Sequence, residues 1–229
     1  MRSIIFDTSS IISLAINNML WTLEHLKKQF DGKFFITESV HKELVDNPLR
    51  SKRYKLEALM IQDVIENRII EVYPGKNLEK DAKELLSLLN HVFSVRDSYI
   101  KILDMAEVES LVLAKELGSR AYIVDERTIR LVVENPPMLA SLLKDKLHTK
   151  IDISYKNLEN IRNWFKAIKI LRSVELMLIA YKMKLFDNYL QGNKNKRYDF
   201  VDGMLWALKL HGCSITENEI HQILNSDII

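Results

Sequence analysis

IIFDTSS, residues 4–10, decides how the rest of the chain is read. With Ser3 it makes a short run of apolar β-formers that stops at Asp7, the pattern of a buried strand, and helical period begins by Ser10. AYIVD, residues 121–125, repeats the arrangement: a strand over 121–124 closed by Asp125. KFFI, residues 33–36, supplies another strand, and IIEV, residues 69–72, a strand or extended connector before Pro74-Gly75. Stretches of helical period fill the intervals. One covers 20–30 and stops at the turn dipeptide Asp31-Gly32. One follows Thr37, a good N-cap, and reaches Val45, with Glu38 in the first turn where the helix dipole favours an anion. Asn47-Pro48 should break it. Others cover 52–66, 78–95 and 104–117, the last ending at Gly118, and a further helix runs to about Glu134, before Asn135-Pro136-Pro137. Strands alternating with helices imply an α/β fold with a mainly parallel sheet flanked by helices.

The remainder differs. A strand is expected within 150–155, then helices over 158–171, 174–186, 200–211 and 217–224, with the clearest loop at 192–197. The expected organisation is therefore an α/β domain over 1–150 and a helical C-terminal extension over 151–229, packed on that domain or continuous with it. Composition agrees with this. Only 6 glycines and 4 prolines in 229 residues leave too few turn formers for a sandwich or barrel. Hydrophobic residues at 47% supply a core, against 28% charged. A net charge of +2 permits nucleic-acid binding without demanding it. The single cysteine, Cys213, excludes an internal disulfide, no Cys/His cluster has zinc spacing, and a reducing cytoplasm is expected. No membrane contact is expected: the most apolar stretch, 174–181, contains Glu175 and is far too short to cross a bilayer, and the N-terminus meets Asp7 too early for a signal-peptide core.

In α/β sheets ligands bind outside the carboxyl ends of the strands, so Asp7 and Asp125 are expected on one rim. Each is also a good helix N-cap. Glu43 stands three residues from Val40, at the edge of a buried helical stripe. Asp104, Glu107 and Glu109 open the next acid-headed helix; Glu109 is turned about 200° from Glu107, so the two cannot serve one site. Arg127 and Arg130 share a face just after Asp125. Basic runs at 50–55 and 194–197 each carry a tyrosine inside or beside them.

These segments resemble the PIN-domain ribonucleases, in particular the small stand-alone archaeal and bacterial kind. IIFDTSSII resembles the family's first strand, FFITESVHKELV its second strand and glutamate-bearing helix, and AEVESLVLAKELGSRAYIVDE its acid-headed helix and last acidic strand end. The resemblance covers about 3–133 and implies a PIN-like, Rossmannoid fold. Carried over, the family's acids fall on Asp7, Glu43, Glu107 and Asp125, which it makes both catalytic and metal-binding. Asp104 or Glu109 could replace Glu107, and Glu126 could replace Asp125. RSVELMLIAYKMKL, residues 172–185, resembles the last helix of longer members.

What this implies is a Mg²⁺- or Mn²⁺-dependent endoribonuclease, a hydrolase of phosphodiester bonds in single-stranded RNA, either a toxin of a toxin–antitoxin pair or an RNA-processing enzyme. All-oxygen ligation suits those hard cations. Two carboxylates about 4 Å apart repel by about 4 kcal/mol at an effective dielectric near 20, so such a cluster must take up protons or a cation. Thr8, Ser9, Arg127 and Arg130 are the expected substrate-side residues, and RNA, an antitoxin or other protein, and a second copy of the chain the candidate partners. A noncatalytic PIN-like module binding RNA or protein is the alternative. A haloacid-dehalogenase-type phosphatase fits poorly, since that chemistry wants an aspartate where Ser9 stands.

Overall fold

A computed structural model describes residues 2–75, 78–166, 168–190 and 195–226. The chain opens with β1 (Ser3–Phe6), α1 (Thr8–Ile16), α2 (Thr22–Phe30) and β2 (Lys33–Thr37). Next come α3 (Glu38–His41), a π-helical turn Lys42–Asp46, α4 (Asn47–Leu49), α5 (Lys55–Glu66) and β3 (Glu71–Tyr73). Then follow α6 (Leu78–Asn90), β4 (Phe93–Val95), β5 (Ser98–Tyr99), α7 (Met105–Glu116) and β6 (Ala121–Ile123). After these lie α8 (Arg127–Glu134), α9 (Pro136–Leu147), β7 (Asp152–Ile153), α10 (Tyr155–Phe165) and β8 (Ile170–Leu171). The chain continues through α11 (Ser173–Lys182), a 3₁₀ turn at Asp187–Tyr189, α12 (Asn195–Leu210) and α13 (Glu217–Leu224).

The main sheet has the order β3-β2-β1-β6-β8 and every pairing in it is parallel. This is the expected α/β, PIN-like architecture. Strand side chains alternate between faces. Ile4, Phe6, Phe34, Ile36 and Ile123 enter one apolar core, with Leu14 of α1, Met177 of α11 and Leu205 of α12. Ile5, Phe35, Tyr122 and Val124 enter the other, with Leu85 of α6, Leu111 of α7 and Ile161 of α10. Gly32 permits the tight α2–β2 connection: a Cβ there would lie 2.8 Å from the Arg2 carbonyl oxygen.

Several elements differ from expectation. The helix expected over 78–95 ends at Asn90, whose side chain accepts from Ile102 N and Leu103 N and donates to Leu103 O. Residues 93–99 instead form a hairpin turned by Arg96 and Asp97, both at positive φ, as primed hairpin turns require. β7, within the strand expected at 150–155, joins this small antiparallel sheet. Asn47-Pro48 does not stop the helix, because proline sits in the first turn of α4, where its missing N–H costs nothing. The helix expected over 158–171 ends at Phe165, and Ile170 and Leu171 pair with Tyr122 and Ile123 as the edge strand of the main sheet. Of the loop expected at 192–197, residues 192–194 lie outside the described residues and 195–197 begin α12.

The C-terminal elements are tied to the sheet by Arg172, 7% exposed. Its guanidinium donates to Glu175 (2.5 Å), to Glu219 (2.9 Å) and to the Ser214 carbonyl (3.1 Å). Replacing Arg172 with alanine leaves Glu175 and Glu219 facing each other without their cation. The expected loss is about 3 kcal/mol in urea unfolding, the low end for a broken buried pair because both glutamates are partly hydrated.

Candidate functional site

Asp7 ends β1 and caps α1. Its Oδ2 accepts from Ser9 N (2.9 Å) and Ser9 Oγ (2.5 Å), and its Oδ1 accepts from the Tyr122 hydroxyl (3.1 Å). It is buried with hydroxyl and amide donors but, among the described residues, no cation. Burial therefore raises its pKa against the opposing effect of the Ser9 and Tyr122 hydrogen bonds, and the charge of Glu43 adds to the rise.

Glu43 lies in the π-helical turn, a distortion often found at functional sites. Its Oε2 accepts from Thr8 Oγ1 at 2.6 Å. Glu107 stands in the first turn of α7, where its Oε2 accepts from Asp104 N (2.7 Å) in a capping box. Burial, with the charges of Asp104, Glu126 and Asp7, pushes its pKa to about 8. Burial and then the charges of Asp7, Glu107 and Glu126 lift the Tyr122 phenol well above its usual value, which keeps it a proton donor. The charges of Asp7 and Glu126 thus both act on Glu107, that of Glu43 acts on Asp7, and Tyr122 stands within reach of Asp7, Glu107 and Glu126. Among the described residues none of them, nor Glu43, has a basic partner.

Asp125 is oriented differently. It is fully buried; Oδ1 accepts from Ser173 N and Oδ2 from Ser173 Oγ, both at 2.7 Å. It thereby caps α11. The cause is strand parity. Ile5 pairs with Tyr122, and Phe6 with Ile123, so Asp7, Tyr122 and Val124 share the α7 face while Asp125 points to the α11 face. Glu126, extended at φ −70° and ψ 129°, returns to the Asp7 side, where it also caps α8 through Ile129 N (3.2 Å). The register together with the two-residue period carries this distinction in the sequence.

The remaining expected residues divide as follows. Glu109 accepts from Ser39 Oγ and fastens α7 to α3, and Asp104 caps α7. Ser9 Oγ also accepts from Asp125 N (3.0 Å), so Thr8 and Ser9 hold the acids and their loop. Arg130 turns to Glu134 (3.7 Å) and the Ser214 carbonyl (3.3 Å), away from the acids. Arg127 is exposed and lines a pocket with the C-terminal helices. Sequence reasoning missed two lysines that share a groove with Glu43. Lys42 and Lys101 line a groove of about 480 Å³ together with Glu43 and Asp104.

The donor set is all oxygen, which fits a hard divalent cation. As the side chains lie, no group of three acids, histidines or cysteines among the described residues forms a metal site. Glu107 and Glu126 are each turned onto a helix N-terminus instead. No helix among the described residues is long and apolar enough to cross a membrane.

A family model described as a PIN domain matches residues 3–136. Neither the curated proteins nor the solved structures contain a match.

The raised Glu107 pKa fixes a pH dependence. Folding holds a proton on Glu107 between about 4.5 and about 8 that the unfolded chain releases. Metal-free protein should therefore lose stability as pH rises through that window. Melting temperatures in chelator should fall from pH 5 to pH 8, and Glu107→Gln should flatten much of that slope.

Proposed function

The chain belongs to the PIN-domain family, and we propose that it is a metal-dependent endoribonuclease acting on single-stranded RNA, located in the cytoplasm. The carrying observation is the set of carboxylates on one rim, Asp7, Glu107 and Glu126 with Glu43 beside Asp7, whose charges act on one another and which make no ion pair among the described residues. Such a set is costly unless a cation joins it. These four acids would hold Mg²⁺ or Mn²⁺, which when bound lowers the pKa of a water and stabilises a leaving oxygen. Glu107 and Glu126 would exchange their helix-capping bonds for that cation.

The protein's own groups supply position. Ser9 and Tyr122 fix the Asp7 carboxylate from both sides, and Thr8 fixes Glu43. Lys42 and Lys101 would hold substrate phosphates in the groove next to Glu43. Asp125 acts here as a positioning residue: through Ser173 it anchors the loop that presents Glu126. A noncatalytic binding module is the second reading, favoured by the lack of a preformed three-ligand metal group among the described residues.

Two measurements separate these readings. Millimolar Mn²⁺ should raise the melting temperature by roughly 5–10 °C if it exceeds its dissociation constant about a hundredfold, and should support cleavage of a mixed single-stranded RNA panel. No shift and no cleavage would favour the binding module. Glu126→Gln should cost activity about a hundredfold or more, at least what an outer-shell partner costs. Asp125→Asn keeps an acceptor for Ser173 N and should stay within a few-fold of wild type. The reverse order would return the metal-binding role to Asp125.

A further inference from the structure

The C-terminal helices form a second basin next to the acid rim. Ser214 N donates to the Asp125 carbonyl at 3.0 Å, so segment 213–216 runs alongside the loop that carries Glu126 and Arg127. Between that loop and α13 lies a pocket of about 690 Å³, lined among others by Arg127, Lys209, Ser214, Thr216 and Glu217. Arg127 is exposed and has no acidic partner among the described residues. Lys209 is held at the wall by a hydrogen bond from Nζ to the Ile215 carbonyl at 3.0 Å. Among the described residues Ser214 Oγ is shielded from solvent yet has no hydrogen-bond partner, and the same is true of Nε of Arg130, whose Nη2 donates to the Ser214 carbonyl at 3.3 Å. Among the described residues Glu217 is the one acid lining the pocket, against two cations.

We propose that this pocket binds a backbone phosphate of the RNA strand, away from the bond cut on the acid rim. The path of the strand rests on the nuclease reading; the ligand class rests on the pocket. Arginine's fork and a lysine point charge are the usual phosphate partners. The volume exceeds what a lone ion requires and suits a nucleotide unit. The C-terminal region thereby gains a role: Lys209 and α13, both outside the family match, extend the substrate track.

The test is fluorescence anisotropy of a labelled single-stranded oligoribonucleotide about a dozen nucleotides long. The full chain is used in chelator, over a range of salt. Arg127→Glu should weaken binding about tenfold or more at low salt. Both Arg127→Glu and Lys209→Gln should reduce the slope of log affinity against log salt by about 0.7 per lost cation. Arg162→Glu, the same charge change at an exposed position of α10, should do neither. Folded Arg127→Glu and Lys209→Gln proteins that bind like wild type overturn the proposal, as does a wild type that binds no RNA. If the variants lose binding while wild type cleaves nothing with Mn²⁺, the pocket stands and the nuclease reading falls. If wild type cleaves and both variants keep its KM, the pocket falls and the nuclease reading stands.

Discussion

The parallel pairing of β1 with β6 is the constraint from which the rim follows. Ile4, Ile5 and Phe6 lie opposite Ala121, Tyr122 and Ile123, and Asp7 N donates to the Ile123 carbonyl at 2.9 Å. That register puts the Asp7 carboxylate against the Tyr122 hydroxyl. It also decides which of two adjacent acids faces it. A one-residue slip would exchange Asp125 for Glu126 and turn every apolar residue of β6 to the wrong core. The two cores, one on each side of the sheet, oppose such a slip with the burial of Tyr122 on one side and Ile123 on the other. Packing thus fixes the electrostatics of the rim.

The C-terminal elements are joined to this register at three places. β8 pairs with β6, Ser173 takes both oxygens of Asp125, and Ser214 N reaches the Asp125 carbonyl. Arg172, beside Ser173, gathers Glu175, Glu219 and the Ser214 carbonyl into one part-buried network. A charge this buried is tolerated because its hydrogen bonds are supplied, and the network makes the position of α13 dependent on the strand end. Cys213 lies in the same seam, buried, its thiol pushed up to about 12 by burial and the nearby Asp125 carboxylate.

Much of the fold was legible in the sequence because its signals are local. Asp7 at the end of IIFD, Thr37 as a cap with its side chain accepting from Val40 N, and Gly118 at positive φ after α7 all follow from short-range rules. The PIN resemblance over 3–133 matches the family region at 3–136. β8 was hidden because a two-residue strand, here Ile170-Leu171 between Lys169 and Arg172, is too short to have a period of its own, and only its partner β6 defines it. The same holds for the site. Asp125 was recognisable as a strand-end acid, but its engagement with Ser173 spans 48 residues of sequence and is invisible to local pattern. Arg130 shared a helical face with Arg127, yet the Ser214 carbonyl and Glu134 draw it to the C-terminal segment. The face occupied by Glu126 could have been obtained by counting parity from Tyr122.

Carboxylates that share a rim without a cation store repulsion, and here each is stabilised by a local donor: Asp7 by Ser9 and Tyr122, Glu43 by Thr8, Glu107 by Asp104 N, Glu126 by Ile129 N. The Glu107 and Glu126 bonds are helix-capping bonds to backbone amides, which a divalent ion can replace. The direct test is a crystal structure of the full chain soaked in Mn²⁺, with the metal located by its anomalous scattering. A manganese peak ligated by Asp7 together with Glu107 or Glu126, with Asp125 still bonded to Ser173, is the predicted result. A manganese ion on Asp125, or no peak on this rim at millimolar Mn²⁺, would contradict the assignment.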